Sequence, residues 1–195
     1  TFPENTVALY TAQMNKIIHT QGNLDGACFL YSLANAVQAI VRGQVSSANW
    51  NSMISELPRP RDYLRRDQGT KHTDDNESDQ LKLANSILRT VSPRVVLVAE
   101  WVKPLNKHSD FQSLVSDESC LVLASPSHWY SIVDVSGDIL YVACSWQRHD
   151  PSVRYKECPS PRLARSFNKK QNLSELRVFR SRGLRIVKQP SSQAR

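Results

Sequence analysis

The chain contains 195 residues, of which 40% are hydrophobic and 22% charged, and it carries a formal net charge of +7. This composition is typical of one globular domain with a substantial core. The longest uninterrupted apolar run, Ile139 to Cys144, is far shorter than the roughly 20 residues that a membrane-spanning helix requires. The sequence therefore predicts no membrane span.

Hydrophobic periodicity predicts three helices in the first half of the chain. Their apolar positions are, in turn, Val7, Tyr10, Met14, Ile17 and Ile18; Leu30, Leu33, Ala34, Val37, Ile40 and Val41; and Leu81, Ala84, Ile87 and Leu88. Gly43 ends the second helix, and Ser78-Asp79 can cap the third. The polar stretch Leu57 to Asn76 is predicted to be a loop.

The second half of the chain has the short β-rich runs of an antiparallel sheet. The predicted strands are Val95 to Ala99, Cys120 to Ala124, Trp129 to Val135, and Ile139 to Ala143. Ser136-Gly137-Asp138 joins the last two strands as a hairpin. Because helices come first and strands second, the predicted fold class is α+β.

The C-terminal segment is strongly basic. Lys156 to Arg195 contains eleven Lys and Arg residues and two acidic residues, whereas the preceding residues carry a net charge of about −2 by the same count. We therefore predict a catalytic domain over residues 1–155 and a basic segment over 156–195. Apolar and basic residues alternate from Leu176 to Val187 on both sides of Ser181-Arg182-Gly183, which predicts a terminal hairpin. The segment is either a solvated tail or a site for an anionic partner.

The cysteines and the N-terminus bear on the cellular setting. The four cysteines form no CxxC pair, which favours reduced thiols and no structural zinc. They are Cys28, Cys120, Cys144 and Cys158. The chain opens with Thr1-Phe2-Pro3-Glu4, without an initiator Met or a signal segment, so we expect it to be part of a longer protein.

The segment from Gln21 to Ser32 has the most informative pattern. Gly22 and Gly26 predict a turn, and Asp25 can accept hydrogen bonds from the first amides of a helix that begins near Cys28. At about 100° per residue, Cys28 lies off the apolar stripe, on a flank that can face a cleft. A helix N-terminus lowers the pKa of a thiol. Cys28 is therefore a candidate nucleophile, and the alternative is a small packed residue.

A thiol nucleophile needs a base, which we expect among the five histidines. His128 follows Ser125-Pro126-Ser127 at the start of a predicted strand, where a sheet can hold its ring beside the helix of Cys28. The other histidines have no comparable setting; they are His19, His72, His108 and His149. We predict that His128 is the general base, and the alternative is a structural histidine.

The order of these motifs resembles the papain-like superfamily of cysteine peptidases. Gln21-Gly22, then Gly26-Ala27-Cys28-Phe29 and Ser32, are similar to the Gln-Gly, Gly-Ser-Cys-Trp and Ser of that family. The resemblance implies a nucleophile on a central helix packed against an antiparallel sheet. It also implies that the Cys28 amide and the Gln21 side chain stabilise the oxyanion.

The resemblance extends to Cys144-Ser145-Trp146, where relatives carry Asn-Ser-Trp after the catalytic histidine. Trp146 matches the tryptophan that shields the polar pair, whereas Cys144 stands where Asn is expected. The residue that orients His128 is therefore open. Strand alternation favours Asp134 on the face of His128, while Asp138 lies at the hairpin turn. Asp150, or no residue at all, are the remaining alternatives.

The same residues also resemble the ovarian-tumour branch of deubiquitinases. Asp25-Gly26-Ala27-Cys28 is similar to the Asp-Gly-Asn-Cys box of that branch, and His128-Trp129 matches its histidine followed by an aromatic residue. Ala27 replaces the Asn, and Tyr130 stands where a polar residue often orients the histidine. Both resemblances agree on Cys28 and His128 and differ in the substrate.

These observations predict a cysteine protease, a thiol hydrolase that cleaves peptide or isopeptide bonds with no cofactor and no metal. The expected partner is a protein substrate, such as ubiquitin or another host protein. The trimmed N-terminus, the single catalytic core and the basic tail suit a bacterial effector or toxin domain, which would be secreted and act in a reducing cytosol. Alternatives on the same fold are a glutamine deamidase, a transglutaminase and a cell-wall amidase. An alternative of another class is an inactive binding module with a basic tail.

Overall fold

Five helices and an antiparallel sheet make up the described part of the chain. The structure is a computed structural model, and it describes residues 18–19, 26–65, 69, 76–126, 128–146, 156–157 and 165–190. The helices are α1 (Cys28–Val41), α2 (Ser47–Glu56), α3 (Pro60–Leu64), α4 (Glu77–Val91) and α5 (Phe111–Leu114). The strands are β1 (Leu97–Val102), β2 (Ser119–Ala124), β3 (Trp129–Ser136), β4 (Ile139–Ala143), β5 (Lys156–Glu157), β6 (Ser166–Phe167), β7 (Lys169–Asn172) and β8 (Gly183–Lys188).

The main sheet contains six of these strands in the order β1-β8-β2-β3-β4-β7, and each neighbouring pair is antiparallel. β5 and β6 form a separate antiparallel pair. The hairpin between β3 and β4 turns at Gly137, which has a φ of 55° and so adopts the left-handed conformation that glycine tolerates. The predicted α+β class with an antiparallel sheet is confirmed.

Helix α1 is apolar around most of its circumference, which is typical of a helix inside a core. Its buried residues run from Phe29 to Ile40, with Tyr31 partly buried. The Phe29 ring packs edge-on against Trp129 of β3, with ring centroids 4.8 Å apart. The Ser131 hydroxyl donates a hydrogen bond of 2.5 Å to the carbonyl of Ser32. These contacts fix α1 along β3.

The two faces of the sheet carry separate apolar clusters. One of them, the helix-side cluster, contains the buried side chains of α1. Its members from β3 and β4 are Trp129, Val133, Tyr141 and Ala143. The side chains of the opposite cluster include Tyr130, Ile132, Leu140, Val142 and Cys144, which directly follows β4. Phe111 of α5 and Leu176 belong to this second cluster. Alternation along the strands thus separates the neighbours of α1 from the side chains around Cys144.

Two helices lie where the hydrophobic periodicity predicts none. α2 starts after Ser46, whose hydroxyl accepts a hydrogen bond from the amide of Asn49, and Met53 is its one buried residue, so its apolar stripe is weak. α3 lies inside the predicted loop Leu57 to Asn76. α4 is capped by Asn76, whose side chain accepts from the amides of Ser78 and Asp79, the residues predicted to be the cap. The first predicted helix lies, except for Ile18, outside the described residues.

The C-terminal part of the chain belongs to the main sheet. β8 lies between β1 and β2, and β7 forms the edge next to β4. The predicted hairpin over Leu176 to Val187 is therefore corrected: its second half is one strand with Leu184 and Ile186 buried, and its first half contains no strand. Strands β7 and β8, which lie in the predicted basic segment 156–195, thus pair with strands of the predicted domain 1–155.

Arg165 links α1 to the sheet from a fully buried position. Its side chain donates hydrogen bonds to four backbone carbonyls, those of Ala39, Ser119, Val133 and Asp117, at 2.8–3.0 Å. The pairing of β3 with β4 shifts register between Ile132 and Asp134, so the Val133 carbonyl lies at an irregularity in the ladder. The planar guanidinium, with five N–H donors, suits this set of acceptors.

We expect Arg165→Ala to lower the free energy of unfolding by about 3 kcal/mol or more, because it leaves several buried carbonyls without a donor. The matched control is Arg42→Ala, which removes a half-exposed ion pair to Asp117 of 3.3 Å and should cost less than about 1 kcal/mol. Urea denaturation of both variants measures the difference. Equal effects would contradict the role given to Arg165.

Candidate functional site

Cys28 is the first residue of α1 and is partly buried against the helix-side cluster. The residue before it, Ala27, occupies the N-cap position and has no side-chain oxygen that could accept from the amides of the first turn. The Ser32 hydroxyl donates a hydrogen bond of 2.7 Å to the Cys28 carbonyl. The thiol therefore stands at the positive end of the helix dipole, which favours its thiolate form.

The turn before Cys28 is held by the segment around α3. The Gly26 amide donates a hydrogen bond of 3.0 Å to the Tyr63 carbonyl, and the Gly69 amide donates one of 2.7 Å to Arg65. The two glycines lie so close that a Cβ on Gly26 would come within 2.4 Å of the Gly69 Cα. The part of the chain predicted as a loop thus contacts the turn that precedes α1 and Cys28.

We expect Gly69→Ala to lower the free energy of unfolding by about 1–3 kcal/mol, because Gly69 has a φ of 46° and an added Cβ would lie 2.3 Å from the Gly26 carbonyl oxygen. Gly43→Ala is the matched control, since a Cβ at Gly43 meets nothing within 4 Å. Thermal unfolding of both variants and the alkylation rate of Cys28 are the measurements. An unchanged Cys28 rate in Gly69→Ala would show that this contact does not position the thiol.

His128 is held by a tight turn just before β3. Its amide donates a hydrogen bond of 3.1 Å to the Ser125 hydroxyl, and its carbonyl accepts one of 2.8 Å from the Ser125 amide. The ring Nε2 lies 3.5 Å from the Sγ of Cys144. The ring of Trp146, 56% exposed, packs edge-on against the imidazole with centroids 5.6 Å apart. The Nδ1 atom is buried without a hydrogen-bond partner among the described residues.

Cys28 and His128 lie at the same end of the α1–β3 layer. Phe29 packs on Trp129, the first residue of β3, and Cys28 and His128 each lie one position earlier in the sequence. The described residues nevertheless include no hydrogen bond between the two side chains. Cys28 packs on the helix-side cluster, whereas the partner of the imidazole is Cys144, which belongs to the opposite cluster. The contact of Phe29 with Trp129 thus places Cys28 and His128 at the same end of this layer, without a hydrogen bond between their side chains in the described part of the chain.

The prediction that Asp134 orients His128 is corrected by distance. The two residues are separated by six positions along β3, which corresponds to about 20 Å of strand. Asp134 is buried, and its carboxylate accepts a hydrogen bond of 2.8 Å from the Val135 amide. Asp138 is exposed at the far end of the same hairpin. Gln21 and Asp150 lie outside the described residues.

Cys144 occupies the place beside His128 that was predicted for an orienting residue. The hairpin register pairs Ser131 with Ala143, so the end of β4 returns to the start of β3. The tight turn at Gly137 was the sequence signal for this return. Asn168 fixes Cys144 further, because its side chain accepts from the Cys144 amide and donates to the Cys144 carbonyl, each at 2.8 Å.

A cavity of about 540 Å³ opens next to this pair. Its lining includes His128, Tyr130, Cys144, Trp146, Lys169 and Arg177. Burial raises the pKa of Tyr130, with a further contribution from Cys144, so the phenol stays protonated near neutral pH. The cavity thus joins an imidazole, a thiol and two cationic side chains.

Burial and, as the smaller cause, the positive charge of Lys169 together lower the pKa of His128 from 6.5 to about 4. The imidazole is therefore neutral near pH 7 and can accept a proton. Burial also raises the pKa of the Cys120 thiol, more than Arg165 lowers it. Cys120 lies in the core, and we expect it to be unreactive.

We expect the free energy of unfolding to fall as the pH is lowered from 6.5 to 4. The unfolded chain protonates His128 near its ordinary pKa of 6.5 and the folded chain only near 4, so acid favours the unfolded state in this window. Urea denaturation at a series of pH values measures this slope. His128→Gln should remove about 2–3 kcal/mol of the fall by pH 4.

Burial also lowers the pKa of His19, by more than its hydrogen bond with Gln38 raises it. Part of the acid sensitivity therefore remains in His128→Gln. His108→Gln is the matched control, since His108 is exposed. A slope in His128→Gln that equals the wild-type slope would contradict the lowered pKa of His128.

The described residues provide neither a metal-binding cluster nor a membrane-spanning helix. No group of three or more His, Cys, Asp or Glu side chains there could hold a metal ion. In the same part of the chain, no helix has the length and apolar character needed to cross a membrane. The chain matches no protein-family model, no curated protein and no solved structure.

Proposed function

We propose that the protein is a thiol hydrolase of peptide or isopeptide bonds, with Cys28 as nucleophile and His128 as general base. The observation that carries this proposal is the state of the imidazole at the start of the α1–β3 layer. Its Nε2 contacts Cys144, and its Nδ1 is buried with no hydrogen-bond partner among the described residues. Buried polar atoms are usually hydrogen-bonded, and a nitrogen held neutral beside a nucleophile helix is suited to accept a proton.

Position and access favour Cys28 over Cys144 as the nucleophile. Cys28 is partly exposed at a helix N-terminus, whereas Cys144 is only 7% exposed at the end of a strand. An attacking sulfur must reach a carbonyl carbon, and a helix N-terminus stabilises its anion. The packing of α1 on an antiparallel sheet supports the papain-like arrangement that belongs to this proposal.

The chemistry uses both ring nitrogens. In this proposal Nε2 carries the ring hydrogen and faces the Cys144 sulfur, so Nδ1 accepts the proton of Cys28 as the thiolate attacks the substrate carbonyl. The amide of Cys28 donates to the developing oxyanion. His128 then returns the proton to the leaving amine, and water hydrolyses the thioester. Catalytic hydrogen bonds often tighten only when substrate binds, so the proposal requires Cys28 and the His128 ring to approach each other in the substrate complex.

A second candidate keeps the chemistry but exchanges the thiols. The Sγ of Cys144 is the sulfur that contacts the imidazole, so Cys144 could attack and His128 could take its proton through Nε2. In the proposal as stated, Cys144 is instead a positioning residue that holds the ring. The two assignments predict opposite effects of removing each sulfur.

We expect Cys28→Ala to abolish cleavage and His128→Ala to lower kcat/KM by about 10²- to 10⁴-fold, the usual contribution of a general base. Cys144→Asn should keep activity, because an amide can also hold the ring. His108→Ala is the control for histidine removal at an exposed position. The measurement is cleavage of a proteome-derived peptide library and of ubiquitin chains, with the cleaved bonds identified by mass spectrometry.

The outcomes separate the candidates. Full activity in Cys28→Ala together with loss in Cys144→Ala would make Cys144 the nucleophile. Iodoacetamide labelling gives an independent readout: Cys28 should label faster than Cys120 and Cys144 near neutral pH. Equal, slow labelling of all three thiols and no cleavage would overturn the proposed function and favour a binding module.

A further inference from the structure

The cavity beside His128 has two cationic side chains that form no ion pair with any described residue. Lys169 is the first residue of β7, and Arg177 lies shortly after the 3₁₀ helix that follows this strand. Glu175 is the one acidic side chain in the described lining, so the lining carries a net positive charge near pH 7. Lys169, Glu175 and Arg177 are all exposed, and their charges are accessible to a ligand.

The position of Lys169 relative to the imidazole is fixed by the backbone. Its neighbour Asn168 makes the two hydrogen bonds of 2.8 Å to the backbone of Cys144, and Cys144 contacts His128. The Lys169 ammonium lies 6.0 Å from the ring centroid of Tyr130, which also lines the cavity. Lys169 therefore has a defined place at the cavity and not merely a place on the surface.

The next residue provides a natural comparison. Lys170 points to the other side of β7, where its ammonium lies 5.5 Å from the Tyr141 ring centroid and 5.8 Å from that of Phe167. Tyr141 and Phe167 belong to the helix-side cluster. Two adjacent lysines thus differ in whether they face the cavity.

We propose that this cavity binds an acidic side chain of the peptide substrate, close to the scissile bond, through Lys169 and Arg177. This inference rests on the proposed function, because the cavity is next to the proposed base. A carboxylate is the ligand that two unpaired cations at one rim recognise, and an arginine can hold both of its oxygens. Gln171, which also lines the cavity, is a neutral donor for the same group.

The acidic side chain of the substrate would also favour the transfer of the thiol proton to His128. The charged and titratable groups around the His128 ring at this cavity are Lys169, Arg177, Glu175, Tyr130 and Cys144. The charge of Lys169 opposes protonation of His128, which must occur when the imidazole takes the thiol proton. A substrate carboxylate beside Lys169 offsets that charge, so acidic substrates should gain in kcat as well as in KM.

The test compares cleavage-site preferences. Wild type, Lys169→Glu/Arg177→Glu and the control Lys170→Glu are incubated with the same proteome-derived peptide library. Wild type and Lys170→Glu should cleave next to Asp or Glu at one fixed position. The double variant should lose that preference, cleave acidic peptides about tenfold more slowly and favour Lys or Arg at the same position.

Neutral variants and thiol labelling complete the design. Lys169→Gln/Arg177→Gln should lose the acidic preference without gaining a basic one. Cleavage by wild type with no acidic preference, or a preference that persists in the double variant, would overturn this inference and leave the proposed function intact. Absence of cleavage together with slow labelling of Cys28 in wild type would overturn the proposed function and this inference with it.

Discussion

The arrangement of helix and sheet depends on one buried guanidinium. Arg165, 2% exposed, donates to the Ala39 carbonyl of α1, to the Ser119 and Val133 carbonyls of β2 and β3, and to the Asp117 carbonyl just before β2. A buried cation is costly unless hydrogen bonds compensate for lost water, and here four carbonyls do so. Arg165 thus ties the C-terminal end of α1 to the middle of β3, and these are the two elements at whose opposite ends Cys28 and His128 lie.

The local patterns of the sequence predicted α1, β3 and β4, whose residues are mostly buried. The apolar stripe of α1 and the alternation along β3 and β4 were sufficient to predict these elements, because such periodicity indicates which side chains are buried. The role of Arg165 could not be predicted, since its four partners lie 32–126 residues away in sequence. β8 was misread as half of a hairpin because alternation gives the faces of a strand but not its neighbours.

The candidate site was predictable in part, for similar reasons. A cysteine at a helix start and a histidine just before a strand are local signals, and the contact of Phe29 with Trp129 places the starts of these two elements together. Asp134 satisfied the rule of alternating faces but not the length of the strand between it and His128. Cys144 comes beside the imidazole through the hairpin register, and the contact of Gly26 with Gly69 follows only from the folded backbone.

The place of β8 in the sheet has a consequence for how the protein is made. β1, at residues 97–102, pairs with β8 at residues 183–188, and β2 pairs with β8 on its other side. During synthesis, the ribosome must add some eighty residues after β1 before its partner strand exists, and such non-local pairing is slow. The nascent chain therefore exposes its apolar strands until translation passes residue 188, and a chain that stops earlier cannot complete the sheet.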